Sequence, residues 1–456
     1  MMSLFQEISK NKALRFWDEN SGETHSFAEL DLPSIPVQAR SLAFLYLDNS
    51  LHSIKFLLAF LESPHVLALL NPALSAAQKA ALELAYLPAL IVDNTRQAIP
   101  DYDGKPDSEI WLARQPAALE IHSKIRLLLS TSGSTGSPKF VKLSDENLIS
   151  NATSIATYLP INSQDVAPLN LPISYSYGLS VFTSNALFGG TIACTTKDVL
   201  MKEFWEQFSR VGFTSLAGVP FVYEMFQRIG FMKKELPSLR YFTQAGGRLS
   251  ISLTEKFADF ALQKSLRFFV MYGQTEATAR MAYVPTEKLL QKIGAIGIPI
   301  PGGQLRLEES SSELCYKGPN VFGGYCQSFV DLKTYEQPEW LATGDLARVD
   351  EEGYFYVTGR LKRFVKLFGN RINLDELETA LSQANINDIR CVGLEDKYLI
   401  LAGKEESLPA ARTFIQEHFK LHPTVIKTLM MTEFPLSTNG KIDYQKISER
   451  YVAHTD

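Results

Sequence analysis

The sequence predicts an α/β protein with a large N-terminal domain of layered sheets and helices and a small C-terminal α+β domain. Three observations support this fold class. The chain has 456 residues, and single hydrophobic cores usually stop growing at about 250–300 residues. Short apolar runs alternate with helical patterns between residues 192 and 271, as in layers whose strands are buried on both faces. Beyond residue 300, glycine and proline punctuate short segments, which favours a β-rich subdomain.

The predicted elements follow one another in a regular order. An apolar run at 127–129 predicts a buried strand. Further strands are predicted at 192–194, 213–219, 239–244 and 266–271, and helices at 201–210, 220–229 and 252–264. The C-terminal part predicts helices at 374–384 and 407–419, and strands at 390–394, 398–402 and 425–430. We draw the domain boundary between residues 361 and 362, so that the two domains cover 1–361 and 362–456.

Composition is that of an ordinary soluble globular protein, with 45% apolar and 21% charged residues. The net charge of −5 disfavours a nucleic-acid-binding protein, which usually has a basic stripe. The N-terminus lacks a basic region followed by an apolar stretch, so no signal peptide is expected. The most apolar region, 56–70, is interrupted by Glu62, Pro64 and His65, and is too short to span a membrane.

The positions of the cysteines and histidines limit the kinds of catalytic site that the chain can form. The four cysteines, at positions 194, 315, 326 and 391, form no C-x-x-C pair, so free thiols in a reducing cytoplasm are expected. No histidine lies between residues 123 and 417. A site within that segment cannot use Ser-His-Asp catalysis or a His-ligated metal. Hydroxyls, carboxylates, lysine and arginine must therefore supply its reactive groups.

The most informative segment follows the strand predicted at 127–129. Residues 131–139 form a loop rich in Ser, Thr and Gly that ends in Pro-Lys. Glycines let backbone N–H groups approach a phosphate, hydroxyls add donors, and lysine adds a positive charge. Gly133 and Gly136 are too close together for the Walker A pattern, so a phosphate loop of another type is predicted, with a flexible linker as the alternative. The candidate binding residues are Thr131, Ser132, Gly133, Ser134, Thr135, Gly136 and Lys139.

A second segment, 271–276, follows the strand predicted at 266–271. Tyr272 can stack on a base, and Thr275 can form a hydrogen bond with a phosphate. Glu276 can hold a hard cation such as Mg²⁺. Alone, this segment is equally well explained as an ordinary turn from a strand into a helix.

Three more segments carry charged residues suited to nucleotide chemistry. Asp345 can accept hydrogen bonds from ribose hydroxyls, and Arg360 can clamp ribose or phosphate. The basic segment 362–371 follows directly, and the loop 435–442 carries Lys441 near the C-terminus. Each of these alone is better explained as a turn, a surface ion pair or a solvated lysine.

Taken together and in this order, the five segments closely resemble the adenylate-forming superfamily, which includes acyl-CoA and aryl-CoA synthetases, luciferases and peptide-synthetase adenylation domains. The resemblance runs from about residue 125 to residue 444. It implies the adenylate-forming enzyme fold, in which a C-terminal lid rotates about a hinge. It also implies two half-reactions: a carboxylate and ATP give acyl-AMP and pyrophosphate, and a thiol, commonly coenzyme A, then displaces AMP.

The resemblance implies nucleotide-binding roles as well. Residues 131–139 match the family's phosphate loop, and the other matched positions are Tyr272, which stacks on adenine, Thr275, which contacts phosphate, Asp345, which binds ribose, and Arg360, which ends the large domain. The implied cofactors are ATP, Mg²⁺ and coenzyme A, or the phosphopantetheine of a carrier protein in place of coenzyme A.

Catalytic and hinge positions follow from the same resemblance. Lys441 matches the lysine that bridges the substrate carboxylate and the α-phosphate, and Glu276 matches the magnesium-associated carboxylate. Lys366, with Gly369, matches the segment that faces the site in the second half-reaction. Lys362 occupies the hinge position, where most members have Asp and some, including luciferases, have Lys.

The acyl pocket is expected to be formed by segments 173–182, 217–222, 244–247 and 271–276. Its candidate lining residues suit an aryl or medium acyl group, although several are equally explained as core; they are Tyr175, Tyr177, Phe221, Ala245, Gly246, Gly247 and Met271. Many acyl-CoA synthetases have His at the position of Tyr175, so gating by that residue is not assumed.

The charged residues in the segments near the predicted acyl pocket bear on which class of acid is the substrate. No Asp or Glu lies between 166 and 196, which counts against an amino-acid substrate because a buried ammonium group must be paired. Arg280 could meet a second acidic group on the substrate, with a surface or structural role as the favoured explanation.

The acceptor and two other functions stay open. Only 12 residues follow Tyr444, so no carrier domain is expected on this chain, and the thiol comes from coenzyme A or from a separate carrier protein. A non-catalytic nucleotide-binding regulator is the alternative from another class; the presence of Lys441 and Glu276 disfavours it. Luciferase-like oxidation of the adenylate is a further alternative. A small carboxylic acid is the expected partner, and the protein is expected to be a monomer or a homodimer.

Overall fold

The computed structural model describes residues 2–36, 39–104, 109–130, 139–361, 363–367, 370–394, 397–437 and 441–455, of which 370, 371 and 455 are described in the backbone only. The chain divides into two compact units. The first comprises Met1–Gln304 and Tyr316–Leu341, and the second comprises Leu305–Cys315 and Ala342–Asp456. Residues 342–361 therefore belong to the same compact unit as the C-terminal elements. The predicted boundary between residues 361 and 362 concerns lid movement and stays a prediction.

Serine side chains begin several of the longer helices. The hydroxyls of Ser50, Ser75, Ser144 and Ser250 each accept a hydrogen bond from the backbone N–H three residues further on, which satisfies a donor that the helix leaves unpaired. The helices are α1 (Leu4–Lys10), α2 (Leu51–Glu62), α3 (Ala76–Tyr86), α4 (Asp145–Tyr158), α5 (Ser176–Phe188), α6 (Lys202–Gln207), α7 (Pro220–Arg228), α8 (Ile251–Gln263), α9 (Leu374–Gln383), α10 (Leu408–Phe419) and α11 (Tyr444–Thr455).

The strands are short, and most carry β-branched or aromatic residues. They are β1 (Arg15–Asp18), β2 (Thr24–Ser26), β3 (Leu42–Tyr46), β4 (Val66–Leu70), β5 (Leu90–Val92), β6 (Tyr102–Gly104), β7 (Ile110–Ala113), β8 (Leu127–Ser130), β9 (Phe140–Leu143), β10 (Val166–Pro168), β11 (Thr191–Cys194), β12 (Ser215–Gly218), β13 (Tyr241–Gln244), β14 (Arg267–Tyr272), β15 (Ala282–Tyr283), β16 (Ile298–Pro299), β17 (Gln304–Leu307), β18 (Glu313–Lys317), β19 (Tyr325–Cys326), β20 (Leu341–Val349), β21 (Phe355–Arg360), β22 (Phe364–Leu367), β23 (Asn370–Asn373), β24 (Ile389–Leu394), β25 (Tyr398–Gly403) and β26 (Ile426–Met430).

The largest sheet has the strand order β19-β9-β8-β4-β3-β5-β7-β6 among the described residues. Its central strands β3, β4 and β8 are parallel, and β3 and β4 are buried along their whole length, which explains their unbroken apolar sequences. β8 pairs with β9 in antiparallel register, with Ser130 opposite Phe140. The two paired residues flank the segment predicted as the phosphate loop in the sequence.

A second sheet has the order β12-β13-β14-β15-β16, in which β12, β13 and β14 are parallel. The helices α7 and α8 connect these parallel strands, as predicted from the alternation in the sequence. A third sheet, in the order β10-β11-β1-β2, completes the layered part of the first unit. These sheets confirm the predicted α/β class.

The second unit contains the predicted β-rich segment and the predicted small α+β arrangement. Strands β17, β18, β20 and β21 form one sheet, β22 and β23 form a hairpin, and β24, β25 and β26 form another sheet. The helix α9 begins after Asn373, whose side chain accepts a hydrogen bond from the Asp375 N–H at 2.9 Å. Apolar residues of α9, α10 and β25, including Leu377, Ile415 and Leu401, share one buried core.

Two expectations from composition can be compared with the described residues. The four cysteines are free and buried. Among the helices in the described ranges, none combines the length and the apolar character that crossing a membrane requires. The apolar region 56–70 is divided between α2 and the buried strand β4.

Candidate active site

Three parallel strands bring the predicted pocket segments to one edge of a sheet. Because β12, β13 and β14 run in parallel, the residues that follow them share the carboxyl edge, where ligands bind in open α/β sheets. The segments at this edge are 219–221, 245–247 and 272–276. The sheet thus brings together three of the four segments that were predicted to form the acyl pocket.

The start of α5 packs against this edge. The Tyr177 hydroxyl donates a hydrogen bond to the backbone oxygen of Thr243 at 2.9 Å. Tyr175, Tyr177, Ala245 and Met271 belong to one buried apolar cluster, and the partly buried Phe221 packs against it. Tyr177 and Ala245 are only 1% and 2% exposed, so they support the pocket as core residues.

Gly246 sits where a side chain would intrude on the pocket. Its φ of +82° lies in the region that favours glycine, and a Cβ at this position would lie 2.5 Å from the hydroxyl oxygen of Tyr175. At Gly247 a Cβ would lie 3.1 Å from Cγ of Pro220, a tight but softer contact. Glycine at position 246 therefore allows the Tyr175 hydroxyl to lie close to the backbone.

We expect Gly246→Ala to lower the free energy of unfolding by more than the roughly 1–2 kcal/mol that a left-handed conformation costs an L-residue. The additional cost arises because Tyr175 must move. Gly294→Ala is the matched control, since Gly294 has the same φ of +82° and no atom within 4 Å of the added Cβ. Chemical denaturation of both variants measures the difference, and equal losses would show that the Tyr175 contact has no energetic weight.

Thr275 and Glu276 begin a short 3-10 helix, Thr275–Ala277, just beyond β14. The Tyr325 hydroxyl donates a hydrogen bond to Oε1 of Glu276 at 2.9 Å. The same Tyr325 ring lies 3.7 Å from Nζ of Lys139, measured to the ring centroid, a cation–π contact. Lys139 and Glu276 are thus held at one aromatic side chain. The hydroxyls of Ser176 and Thr275 are 3.3 Å apart and complete this polar cluster.

Burial and the neighbouring Glu276 carboxylate both raise the pKa of Tyr325. Tyr325 therefore remains a neutral hydroxyl at physiological pH and acts as a donor to the carboxylate. Its hydrogen bond restricts the orientation of the Glu276 side chain.

A strained turn follows the 3-10 helix. Thr278 has φ 62° and ψ −59°, rare values for a β-branched residue, and the N–H of Ala279 donates to the oxygen of Ala277 at 2.6 Å across a γ-turn. The Thr278 hydroxyl donates to the backbone oxygen of Asn320 at 2.8 Å and holds the turn in place. At Gly273 a Cβ would lie 1.7 Å from the oxygen of Ala279, so only glycine allows the chain to double back here. The turn directs the chain from Glu276 back along β14 to Arg280.

The donor set at Glu276 fits the magnesium that the family implies. Among the described residues, Tyr325 contacts Oε1 of Glu276, and the second carboxylate oxygen, Oε2, is a hard oxygen of the kind that binds such a cation. The described ranges contain no cluster of three or more His, Cys, Asp or Glu side chains that could hold a metal on their own. A single carboxylate suits Mg²⁺, which usually takes one or two protein carboxylates and completes its shell with phosphates and water.

Asp345 and Arg360, both in the second unit, lie opposite each other on β20 and β21. Nε of Arg360 lies 3.1 Å from Oδ1 of Asp345; the aspartate side chain is 5% exposed and the arginine side chain 63%. The pairing orients a buried carboxylate beside an exposed guanidinium. An ionised carboxylate held in this way can accept charge-assisted hydrogen bonds.

The two lysines predicted for catalysis lie on separate elements of the second unit. Lys366 is an exposed residue of β22. Lys441 is partly buried, and its backbone N–H donates to the Ser437 hydroxyl at 3.3 Å. Three sets of predicted positions, residues 131–138 of the loop, Lys362 and Gly369, lie outside the described residues.

Several residues of this site carry no signal in the sequence. Tyr325 was predicted only as part of a glycine-punctuated segment, and it lies 49 positions after Glu276, so no local pattern connects them. Ser176 lay inside the predicted pocket segment without an assigned contact to Thr275. Asn320, which secures the turn at Thr278, has no motif at all. A Tyr directly after two glycines is the one feature that could have drawn attention to Tyr325.

Comparison with known proteins places this site in context. The model of the family described as AMP-binding enzyme matches residues 32–326. A probable CoA ligase, CCL9 from Humulus lupulus, is 25% identical over 395 residues, covering 80% of this chain and 74% of that protein. A 2-succinylbenzoate–CoA ligase from Bacillus cereus is 27% identical over 335 residues, covering 69% of this chain and 68% of that protein.

The fold also matches solved structures over nearly the whole chain. The o-succinylbenzoate CoA synthetase from Bacillus subtilis, in complex with its acyl-adenylate intermediate, aligns with a TM-score of 0.75 at 21% identity and covers 98% of each chain. The same synthetase in complex with ATP and a magnesium ion aligns with the same TM-score. This likeness confirms the predicted adenylate-forming fold.

Proposed function

The chain belongs to the AMP-binding enzyme family, and on that basis we propose that it activates a carboxylic acid with ATP and then transfers the acyl group to the thiol of coenzyme A. In the first half-reaction, a carboxylate oxygen of the acid forms a bond to the α-phosphorus of ATP, and the bond from that phosphorus to the bridging oxygen of the β-phosphate breaks. Acyl-AMP and pyrophosphate result. In the second, the thiolate sulfur forms a bond to the acyl carbon, the thiol proton is released, and AMP leaves.

The observation that carries this proposal is the Lys139–Tyr325–Glu276 cluster beside an apolar pocket. Lys139 offers a positive charge, and Glu276 a carboxylate that suits magnesium. The pocket formed around Tyr175 and Met271 suits the organic part of an acid. A site that joins an apolar acid to a polyphosphate needs both environments in contact.

Each group has a physical task in bringing two anions together. Carboxylate attack at phosphorus needs little covalent assistance, and its barrier falls when charge is neutralised and the reactants are aligned. Magnesium held by Glu276 supplies Lewis-acid neutralisation on the phosphates when it is bound. Thr275 and the phosphate-loop residues donate hydrogen bonds to phosphate oxygens. Tyr272 provides a face for adenine.

We further propose roles for four residues of the second unit, two of them on a mobile lid. Asp345 and Arg360 bind the ribose, Lys441 neutralises charge during adenylation, and Lys366 serves the thiol-transfer step. The rotating lid begins after residue 361, with Lys362 as its hinge. A lid that carries both lysines can present one and then the other, so the two half-reactions use one site in sequence.

The proposal also specifies the class of acid that is activated and the thiol that accepts the acyl group. An aryl or medium acyl acid is favoured by the aromatic lining at Tyr175, Tyr177 and Phe221. The relatives are CoA ligases, among them enzymes named for 2-succinylbenzoate, which is an aryl acid. Coenzyme A is therefore the acceptor we propose ahead of a carrier protein.

The proposal is tested by acid-dependent exchange of labelled pyrophosphate into ATP. We expect exchange with aryl or medium-chain acids, none with amino acids, and release of AMP that requires coenzyme A. Exchange without turnover on coenzyme A would shift the acceptor to a carrier protein. If ATP binds in calorimetry but no acid in the panel supports exchange, the ligase proposal is wrong and a nucleotide-binding regulator takes its place.

A further inference from the structure

Arg280 is a buried cation with little to neutralise it. The residue is 3% exposed and lies on the segment that returns from Glu276 along β14. Its guanidinium lies 4.0 Å from the centroid of the Tyr177 ring. The described residues give it side-chain hydrogen bonds with the hydroxyls of Tyr158 and Tyr177 and a long one, 3.5 Å, to the oxygen of Ala279, while its Nε has no partner among them. No carboxylate of the described residues forms an ion pair with it.

Such a burial is costly, because removing a charge from water must be offset by ion pairs or hydrogen bonds. Other arginines of this chain meet that requirement. Arg126, 8% exposed, donates to the backbone oxygens of Ser63, at 2.8 Å, and His65, at 3.1 Å. Arg240 pairs with the buried Asp165. Arg280 differs from both, because its partners among the described residues are two phenol hydroxyls and one distant backbone oxygen, with no carboxylate.

The neighbouring phenols do not compensate the charge. Burial raises the pKa of Tyr158 and of Tyr177, and it raises the pKa of Tyr175 to about 12, although in each case the Arg280 cation opposes the rise. All three hydroxyls are therefore neutral at physiological pH. Arg280 consequently places a net positive charge inside an apolar pocket.

The backbone of Arg280 is fixed independently of its side chain. The Asn151 amide donates to the Arg280 oxygen at 3.0 Å, and the Asn320 amide donates to the same oxygen at 2.9 Å. The Arg280 N–H donates to Oδ1 of Asn151 at 3.3 Å. Since these contacts hold the main chain, the guanidinium is not needed to shape the turn.

Arg280 also lines a small cavity at the acyl pocket, with Tyr177, Ser180, Thr243 and Met271 among its other walls. Its volume of about 20 Å³ is enough for one water molecule. A carboxylate needs more space, and the unbranched side chain of Met271 can yield it by changing rotamer. Arg280 therefore lines a cavity that it shares with two residues of the predicted acyl pocket, Tyr177 and Met271.

We propose that Arg280 binds a second carboxylate on the acid that is activated, so that the substrate class is a dicarboxylic acid or an aryl acid with an additional carboxylate. The proposal rests on the proposed ligase function and names its substrate class. The planar guanidinium can donate to both oxygens of a carboxylate at once. The second carboxylate of the substrate would provide the negative charge that the described residues do not place beside Arg280. An acid without this carboxylate would leave the buried Arg280 charge without an ion pair.

The test compares acids that share a skeleton and differ by one carboxylate. In pyrophosphate exchange, we expect kcat/KM for 2-succinylbenzoate to exceed that for 3-benzoylpropionate, and suberate to exceed octanoate, in at least one pair by about 10²-fold or more. Arg280→Met, similar in volume and uncharged, should abolish that preference, with KM for ATP unchanged. Arg280→Lys should restore part of it.

Arg126→Met is the matched control, because it removes a buried guanidinium that bonds only to the protein. We expect this variant to melt at a lower temperature and keep the wild-type preference between acids, whereas Arg280→Met keeps its melting temperature and loses the preference. Two outcomes would overturn the inference about Arg280 and leave the ligase proposal standing. One is an equal fall of kcat/KM for both acids of a pair in Arg280→Met, and the other is a preference of the wild type for monocarboxylates. Absence of exchange with all four acids while ATP binds would overturn the ligase proposal, and the inference with it.

Discussion

Lys441→Ala is expected to lower the rate of pyrophosphate exchange by about 10³-fold, the scale of removing one group that stabilises transition-state charge at a phosphoryl centre. The reason is electrostatic. Two anions, the acid and the α-phosphate, must approach each other, and a single ammonium group between them lowers that barrier. An alanine at this position leaves the repulsion in place. Exchange assayed at saturating ATP and acid measures the effect.

The loop that carries Lys441 should survive the substitution. Its backbone is closed by a bridge between Leu436 and Ile442, and the Ser437 N–H donates to the Lys441 oxygen at 2.7 Å. These contacts use main-chain atoms of Lys441, which alanine retains. A melting temperature equal to that of the wild type would assign a loss of exchange to the missing charge.

Lys446→Ala is the control for Lys441→Ala. Lys446 is an exposed lysine of α11 whose ammonium group pairs with Asp443 at 3.5 Å, so we expect its removal to leave exchange unchanged. Lys441→Ala should bind ATP as the wild type does, and should still convert preformed acyl-AMP and coenzyme A to the thioester. Wild-type exchange in Lys441→Ala would show that another group neutralises the charge.

How much of this structure the sequence predicts depends on how far apart in the sequence the interacting residues lie. The strand–helix alternation from β12 to β14 and the helix at α9 follow from local periodicity and capping, and the structure confirms them within a few residues at each end. The carboxyl edge of that sheet also follows, because parallel strands fix where the connecting loops lie. The pocket segments were predictable for this reason.

Contacts between distant positions were not predictable in the same way. Tyr325 contacts Glu276 through the pairing of β19 with β9, a strand pair of two residues that no period reveals. Arg280 was expected to be structural or exposed, because an isolated arginine in a sequence gives no sign of its burial. Only the packing of α4, α5 and β14 around it shows that the charge is enclosed.

Glu276→Gln is expected to lower exchange by about 10²-fold or more and to raise the Mg²⁺ concentration needed for half-maximal activity. Glutamine has the same shape and can still accept the hydrogen bond from Tyr325, so the substitution removes the charge and keeps the contact. A neutral amide is a weaker ligand for a hard divalent cation than a carboxylate. The measurement is a magnesium titration of exchange.

Tyr325→Phe tests how much the orientation of the Glu276 carboxylate contributes to exchange, apart from its charge. This variant removes the hydroxyl that donates to Oε1 of Glu276 and keeps the ring that Lys139 contacts. Because it removes one hydrogen bond to a carboxylate that keeps its charge, we expect a loss of about 10-fold, smaller than for Glu276→Gln. The magnesium requirement should rise in both variants, and more in Glu276→Gln. If Tyr325→Phe raised it and Glu276→Gln did not, the cation would have to be held by a residue other than Glu276.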